Sequence, residues 1–225
     1  MELYRIAIDW GKRKRFACGC LERVHHTQGV PCVACGEEQY TPDYNHLFEN
    51  KGWDTKMFLD SGYYADFINS QIKVVVSEKA KKMLTENFGN AVDFGDIEMV
   101  SFRDLTTEKA KEIRDYSGSA ALKKIPDDPP QYFRLLLKQG ADLDFQRTNI
   151  ELAVDCPKCG LKRYQTPGLT YVGENMPHII ESTWKGCDIF YVEGLGNRMF
   201  CTERFVGIYN QNELTGLEFE QVEVV

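Results

Sequence analysis

The 225-residue chain has no low-complexity tract, no long apolar run, few histidines and little clustered positive charge, and each gap removes a class of protein. No apolar stretch approaches the ~18 residues a membrane-spanning helix needs. The opening Met1-Glu2-Leu3-Tyr4-Arg5 has no apolar run behind a basic start, so no secretory leader is expected and the chain reads as cytoplasmic. The four histidines, His25, His26, His46 and His178, lack the spacing of a zinc hydrolase. Neither a Gly-x-x-x-x-Gly-Lys-Ser/Thr phosphate loop nor a Gly-x-Ser-x-Gly elbow occurs. Gly194-Leu195-Gly196 reads as a turn between strands. No nucleophile or general base is nominated, so a non-enzymatic role is expected. The net charge is −7 and the pI about 5.2, a field that repels nucleic acid and anionic membrane and favours a basic partner. The one basic cluster, Lys12-Arg13-Lys14-Arg15, reads as a solvated turn after Trp10-Gly11.

Cysteine is plentiful by contrast, with eight residues in a chain expected to meet a reducing compartment, where structural disulfides are rare. Four of them form two Cys-x-x-Cys-Gly motifs, Cys32-Val33-Ala34-Cys35-Gly36 and Cys156-Pro157-Lys158-Cys159-Gly160. Two thiolates three positions apart reach one ion, and the glycine lets the backbone turn so that amides face the sulfurs. One such knuckle supplies two ligands, while a structural zinc site takes four. The simplest site is therefore one zinc ion held by Cys32, Cys35, Cys156 and Cys159. Cys18 and Cys20, with His25 and His26, form a rival ligand set for the first knuckle, as do Cys187 and Cys201 for the second. Their spacings are irregular, and Cys187 and Cys201 suit buried core positions better. Thiol–disulfide exchange is a further use of Cys-x-x-Cys, although that motif ordinarily opens a helix.

The chain also matches itself. At an offset of 125, Ser77-Glu78-Lys79 meets Thr202-Glu203-Arg204, Asn87 meets Asn212, Val92 meets Leu217 and Phe94 meets Phe219. The knuckles match at 124, and Tyr4-Arg5-Ile6 parallels Phe133-Arg134-Leu135 at 129. The pattern predicts an α+β fold of two pseudo-repeated halves, each a small, mostly antiparallel sheet with one helix and one zinc knuckle. Residues 1–104 form the first half, 105–130 a linker with a short helix over Thr107 to Arg114, and 131–225 the second half. In each half a first strand (Leu3 to Ile8; Tyr132 to Leu137) precedes the knuckle, and a second strand follows it (Ile72 to Val76; Asn197 to Cys201). A helix capped by Ser77 or Thr202 comes next. Final strands are expected at Ile97 to Phe102 and Leu217 to Val224, the latter alternating apolar and acidic residues. Glu213, Glu218, Glu220 and Glu223 gather near this strand and are candidates for docking a basic partner.

The two Cys-x-x-Cys-Gly motifs more than 100 residues apart, the early Tyr-Arg strand and the closing Cys201-Thr202-Glu203-Arg204-Phe205 to Val222 block resemble the double-CXXCG family of bacterial proteins. That resemblance implies an immunity protein of a polymorphic toxin system, binding and neutralising a cognate toxin domain. It carries over to Cys32, Cys35, Gly36, Cys156, Cys159 and Gly160, and does not reach a toxin-contact surface. Two other readings stand beside it: a zinc-ribbon adaptor for nucleic acid or protein, and a thiol oxidoreductase.

Overall fold

A computed structural model describes residues 2–9, 11, 16–21, 31–36, 56–70, 73–117, 119–165, 177–195 and 198–225. The fold is mixed α and β, dominated by sheets. Fifteen strands occur among these residues: β1 (Leu3–Ile8), β2 (Gly19–Leu21), β3 (Lys56–Leu59), β4 (Phe67–Ser70), β5 (Lys73–Ser77), β6 (Val92–Gly95), β7 (Glu98–Met99), β8 (Tyr132–Leu137), β9 (Gln139–Leu143), β10 (Glu151–Asp155), β11 (Lys162–Gln165), β12 (Ile179–Ile180), β13 (Ile189–Val192), β14 (Met199–Thr202) and β15 (Leu217–Val222). The helices are α1 (Glu78–Phe88), α2 (Thr107–Ser117), α3 (Ser119–Leu122), α4 (Phe145–Thr148) and α5 (Glu203–Gln211).

One sheet runs β6-β8-β5-β4-β2-β3-β7, a second runs β12-β9-β13-β14-β1-β15, and β10 and β11 form a separate ribbon. The second sheet closes on itself, and the first curls until its edge strands come close at one end. The strands β6 and β7 stand at opposite ends of the first hydrogen-bonded order, yet only Asp96 and Ile97 separate them. Gly95 and Glu98 are three residue steps apart, about 10 Å at most, so the far edges approach each other at that end. In the second sheet Val222 pairs with Leu3 while Val224 bridges Ile179 on β12, closing a ring.

The two rings share one pairing plan. In the second, β1 lies between β14 and β15, with Leu3 opposite Thr202 and Ile8 opposite Leu217. In the first, β8 lies between β5 and β6, with Tyr132 opposite Ser77 and Leu137 opposite Val92. The agreement extends outward. Phe67 pairs with Val76 as Ile189 pairs with Cys201, and Leu21 faces Met57 as Leu143 faces Ile179. Thus β1, from the N-terminal side of residues 105–130, completes a ring made otherwise of C-terminal strands, and β8 does the reverse.

Why these segments pair so follows from burial. Leu3 and Ile6 of β1 are buried among Phe200, Leu217 and Val222, and Leu135 and Leu137 of β8 among Val74, Val76 and Val92. The first ring is filled by Met57, Leu59, Ile68, Val75, Ile97 and Tyr132, as a small barrel interior must be. The helices α1 and α5 meet in the shared core, with Phe88 and Phe205 centroids 5.3 Å apart. Lys79 Nζ on α1 donates to the Glu213 carbonyl (3.1 Å), and Arg204 on α5 reaches the Asn87 carbonyl (3.4 Å). A smaller cluster of Phe58, Val100, Ile113, Leu122 and Ile125 seats α2 and α3.

Several expectations need correction. The first closing strand is not Ile97 to Phe102. It begins at Val92, because Val92 to Gly95 align with β8, and the chain then bends into β7 and a short 3-10 turn over Phe102–Asp104. Ser77 caps α1 as expected, its Oγ accepting from Ala80 N at 3.2 Å. Thr202 does not cap α5 in this way. Its hydroxyl is turned to Asp188, donating at 2.6 Å, and α5 has no side-chain cap. Ile72 and Asn197 lie outside the described residues, as do Lys12 to Arg15.

Candidate metal centre

Both knuckles are built alike. In the first, Gly36 N donates to the Cys32 carbonyl at 2.7 Å, and in the second Gly160 N donates to the Cys156 carbonyl at 2.8 Å. Each glycine adopts φ +72°, in the left-handed region that residues with a Cβ enter only with strain. A Cβ on either would meet nothing within 4 Å, so the backbone angle alone demands glycine here. The second knuckle is the loop of the β10–β11 hairpin. Its arm is held to the body by the stacked rings of Tyr164 and Phe145, 5.5 Å apart, and by Lys162 with Glu193 at 3.0 Å. Neither arm contact was foreseeable from the cysteine pattern.

The two turns meet. Cys32 Sγ and Cys156 Sγ are 3.8 Å apart, and so are Cys35 Sγ and Cys159 Sγ. All four sulfurs lie within 4.8 Å of one another. A disulfide would bring two sulfurs to about 2.05 Å, so these are thiols. A tetrahedron with metal–sulfur bonds of about 2.3 Å has edges of about 3.8 Å, the separation found between the knuckles. The four cysteines are thus consistent with a metal site.

The electrostatics favour thiolates. The backbone amides of Ala34 and Cys35 point at the Cys32 sulfur and lower its pKa to about 6. Cys156 is lowered in the same direction, chiefly by the Cys159 amide. Amide dipoles aimed at sulfur stabilise the anion that a metal requires. Cys32 and Cys156 are buried, while Cys35 and Cys159 are half-exposed. A set of four thiolates around one ion would leave no open coordination position for a substrate or reactive water.

Neither a protein-family model nor a curated protein matches this chain.

Cys18, Cys187 and Cys201 do not belong to this cluster. Cys18 Sγ is directed to the Asn69 carbonyl at 3.4 Å, and its amide donates to Asp60 at 2.7 Å. Cys20 sits on β2 opposite Phe58. Cys187 and Cys201 are buried in the shared core, and burial raises both thiols' pKa. His178 Nδ1 lies 3.2 Å from a Glu223 carboxylate oxygen, while His25, His26 and His46 lie outside the described residues. The only metal-competent cluster among the described residues is that of Cys32, Cys35, Cys156 and Cys159. Glu213, Glu218, Glu220 and Glu223 are all exposed, with Glu220 engaged by Arg5. No helix among the described residues is long and apolar enough to cross a membrane.

Proposed function

We propose that this protein is an immunity protein of the double-CXXCG type: a cytoplasmic, non-enzymatic binder that neutralises a cognate toxin domain, with one structural zinc ion held by Cys32, Cys35, Cys156 and Cys159. The observation that carries the reading is the convergence of two Cys-x-x-Cys-Gly turns, 124 residues apart, at the sulfur spacing of a tetrahedral thiolate site. Zinc is the ion chosen because an all-sulfur tetrahedral set suits it and supplies neither redox chemistry nor a free position for catalysis. The role assigned to the metal is to fix the two knuckles to each other and present them as a rigid body.

The shared pairing plan of the two rings supports a second part of the reading. The chain is a tandem duplication whose halves have exchanged their first strands, and the ion lies on the pseudo-two-fold axis between them. The exchange joins the halves independently of the metal, so the ion acts on the local geometry of the knuckles more than on the integrity of the fold. The partner is a basic toxin domain, in keeping with the net charge of −7 and the exposed Glu213, Glu218, Glu220 and Glu223.

Co-expression tests this. The product of the gene adjacent to this one should arrest growth alone, and growth should return when the two are expressed together. The purified pair should bind with an affinity that falls as salt rises. Absence of rescue from every adjacent product removes the immunity reading. A gel shift with DNA or RNA at low salt would favour the adaptor instead.

A further inference from the structure

We propose that the four knuckle thiols are also an oxidative modification site for peroxide, whose products are two disulfides that cross between the knuckles, Cys32–Cys156 and Cys35–Cys159. The proposal rests on the zinc reading only for the ion released on oxidation; the cross-links follow from the positions of the sulfurs.

Three observations carry it. First, each sulfur has a neighbour on the opposite knuckle at 3.8 Å, close enough to attack it after a small side-chain movement. Second, access is graded. Cys35 and Cys159 are half-exposed and meet a small oxidant first, whereas Cys32 and Cys156 are buried behind them. Third, the other cysteines of the shared core do not compete: Cys187 is 7% exposed, Cys201 is fully buried, and neither belongs to the cluster.

The chemistry balances with peroxide as the oxidant. Hydrogen peroxide takes two electrons from the Cys35 or Cys159 thiolate, its O–O bond breaks, and a sulfenic acid and hydroxide result. The facing thiolate attacks the sulfenic sulfur, the S–S bond forms, and a second hydroxide leaves. The buried pair then repeats the sequence. Two peroxide molecules are consumed, four hydroxides take protons from solvent to become water, and the ion loses its ligands.

The choice of partners matters. A Cys32–Cys35 link closes a loop within one turn and leaves the knuckles free to separate. A cross-link closes 124 residues and holds them together once the ion has gone. Oxidation therefore replaces a metal clamp by a covalent one, and reduction with added zinc restores the first.

The test uses the full chain. Its metal content is measured first, and it is then titrated with hydrogen peroxide while a colorimetric chelator reports released zinc. The product is digested without reductant and its linked peptides are mapped by mass spectrometry. The expected result is Cys32–Cys156 and Cys35–Cys159 links, reversible by dithiothreitol, and an oxidised form that unfolds at a higher temperature than the reduced, chelated form. Cys35→Ser should leave Cys32–Cys156 as the sole link. Links within the knuckles, or sulfinic acids without links, would overturn the proposal, as would an oxidised form no more heat-stable than the reduced, chelated one. A protein that carries no metal yet forms both cross-links sinks the zinc reading and upholds this one.

Discussion

Replacing Leu3 by alanine tests the strand exchange at its centre. The side chain is fully buried, on a strand whose two neighbours, β14 and β15, come from the opposite end of the chain. Truncation removes the transfer free energy of the lost methyl and methylene groups and leaves a cavity, together about 3 kcal/mol in a site that cannot collapse. For a chain of this length that corresponds to a melting temperature lower by about 6–12 °C. Where the stability is lost is more informative than how much. Hydrogen exchange followed by mass spectrometry should show protection falling in Met199–Thr202 and Leu217–Val222, with Lys73–Ser77 and Val92–Gly95 affected less. The matching change in the other ring, Leu135→Ala on β8, should reverse that pattern. If Leu3→Ala instead deprotects Lys73–Ser77 and Val92–Gly95 first, β1 belongs to the sheet of its own half and the exchange is refuted.

Three further outcomes are expected. Gly140→Ala places a Cβ 2.2 Å from Phe190 Cγ and should destabilise the second ring by about 1–3 kcal/mol through overpacking, read as a lower denaturation midpoint at unchanged slope. Gly36→Ala or Gly160→Ala meets no atom but forces a Cβ into the left-handed region at φ +72°; each should cost about 1 kcal/mol and weaken zinc binding in a competition titration, with secondary structure unchanged by circular dichroism. In the reduced, metal-free protein the Cys32 thiol has its pKa lowered from 9.0 to about 6, so the unfolded state binds more protons between those values. Its contribution is fully present above pH 9 and is lost as the pH falls through 6. Melting temperature followed against pH should show this slope, and Cys32→Ser should flatten it.

The parts of this molecule that were legible in its sequence are those set by neighbours along the chain. The knuckles are local: a Cys-x-x-Cys-Gly turn is closed by its own i to i+4 hydrogen bond and its own glycine angle. The helix α1 was legible because Ala80, Met83, Leu84 and Phe88 recur at helical spacing behind a serine cap. That four cysteines form one cluster followed from the ligand count, since each turn offers half a site. The pairing of β1 with β14 and β15, and of β8 with β5 and β6, was not legible, because hydrophobic alternation says which face of a strand is buried and nothing of which strand lies beside it. The short strands β3, β4, β12 and β13 were missed for a related reason: runs such as Met57-Phe58-Leu59 are buried on both faces and show no alternation. The missing cap on α5 turned on Asp188, fourteen residues away in sequence, which competes for the Thr202 hydroxyl.

X-ray absorption at the zinc edge on freshly purified, reduced protein, with metal quantified in the same sample, bears most directly on the tetrathiolate centre. One zinc per chain with four sulfurs at about 2.3 Å is the expected result. No zinc, or a coordination shell containing nitrogen or oxygen in place of sulfur, would contradict the assignment of Cys32, Cys35, Cys156 and Cys159 as its ligands.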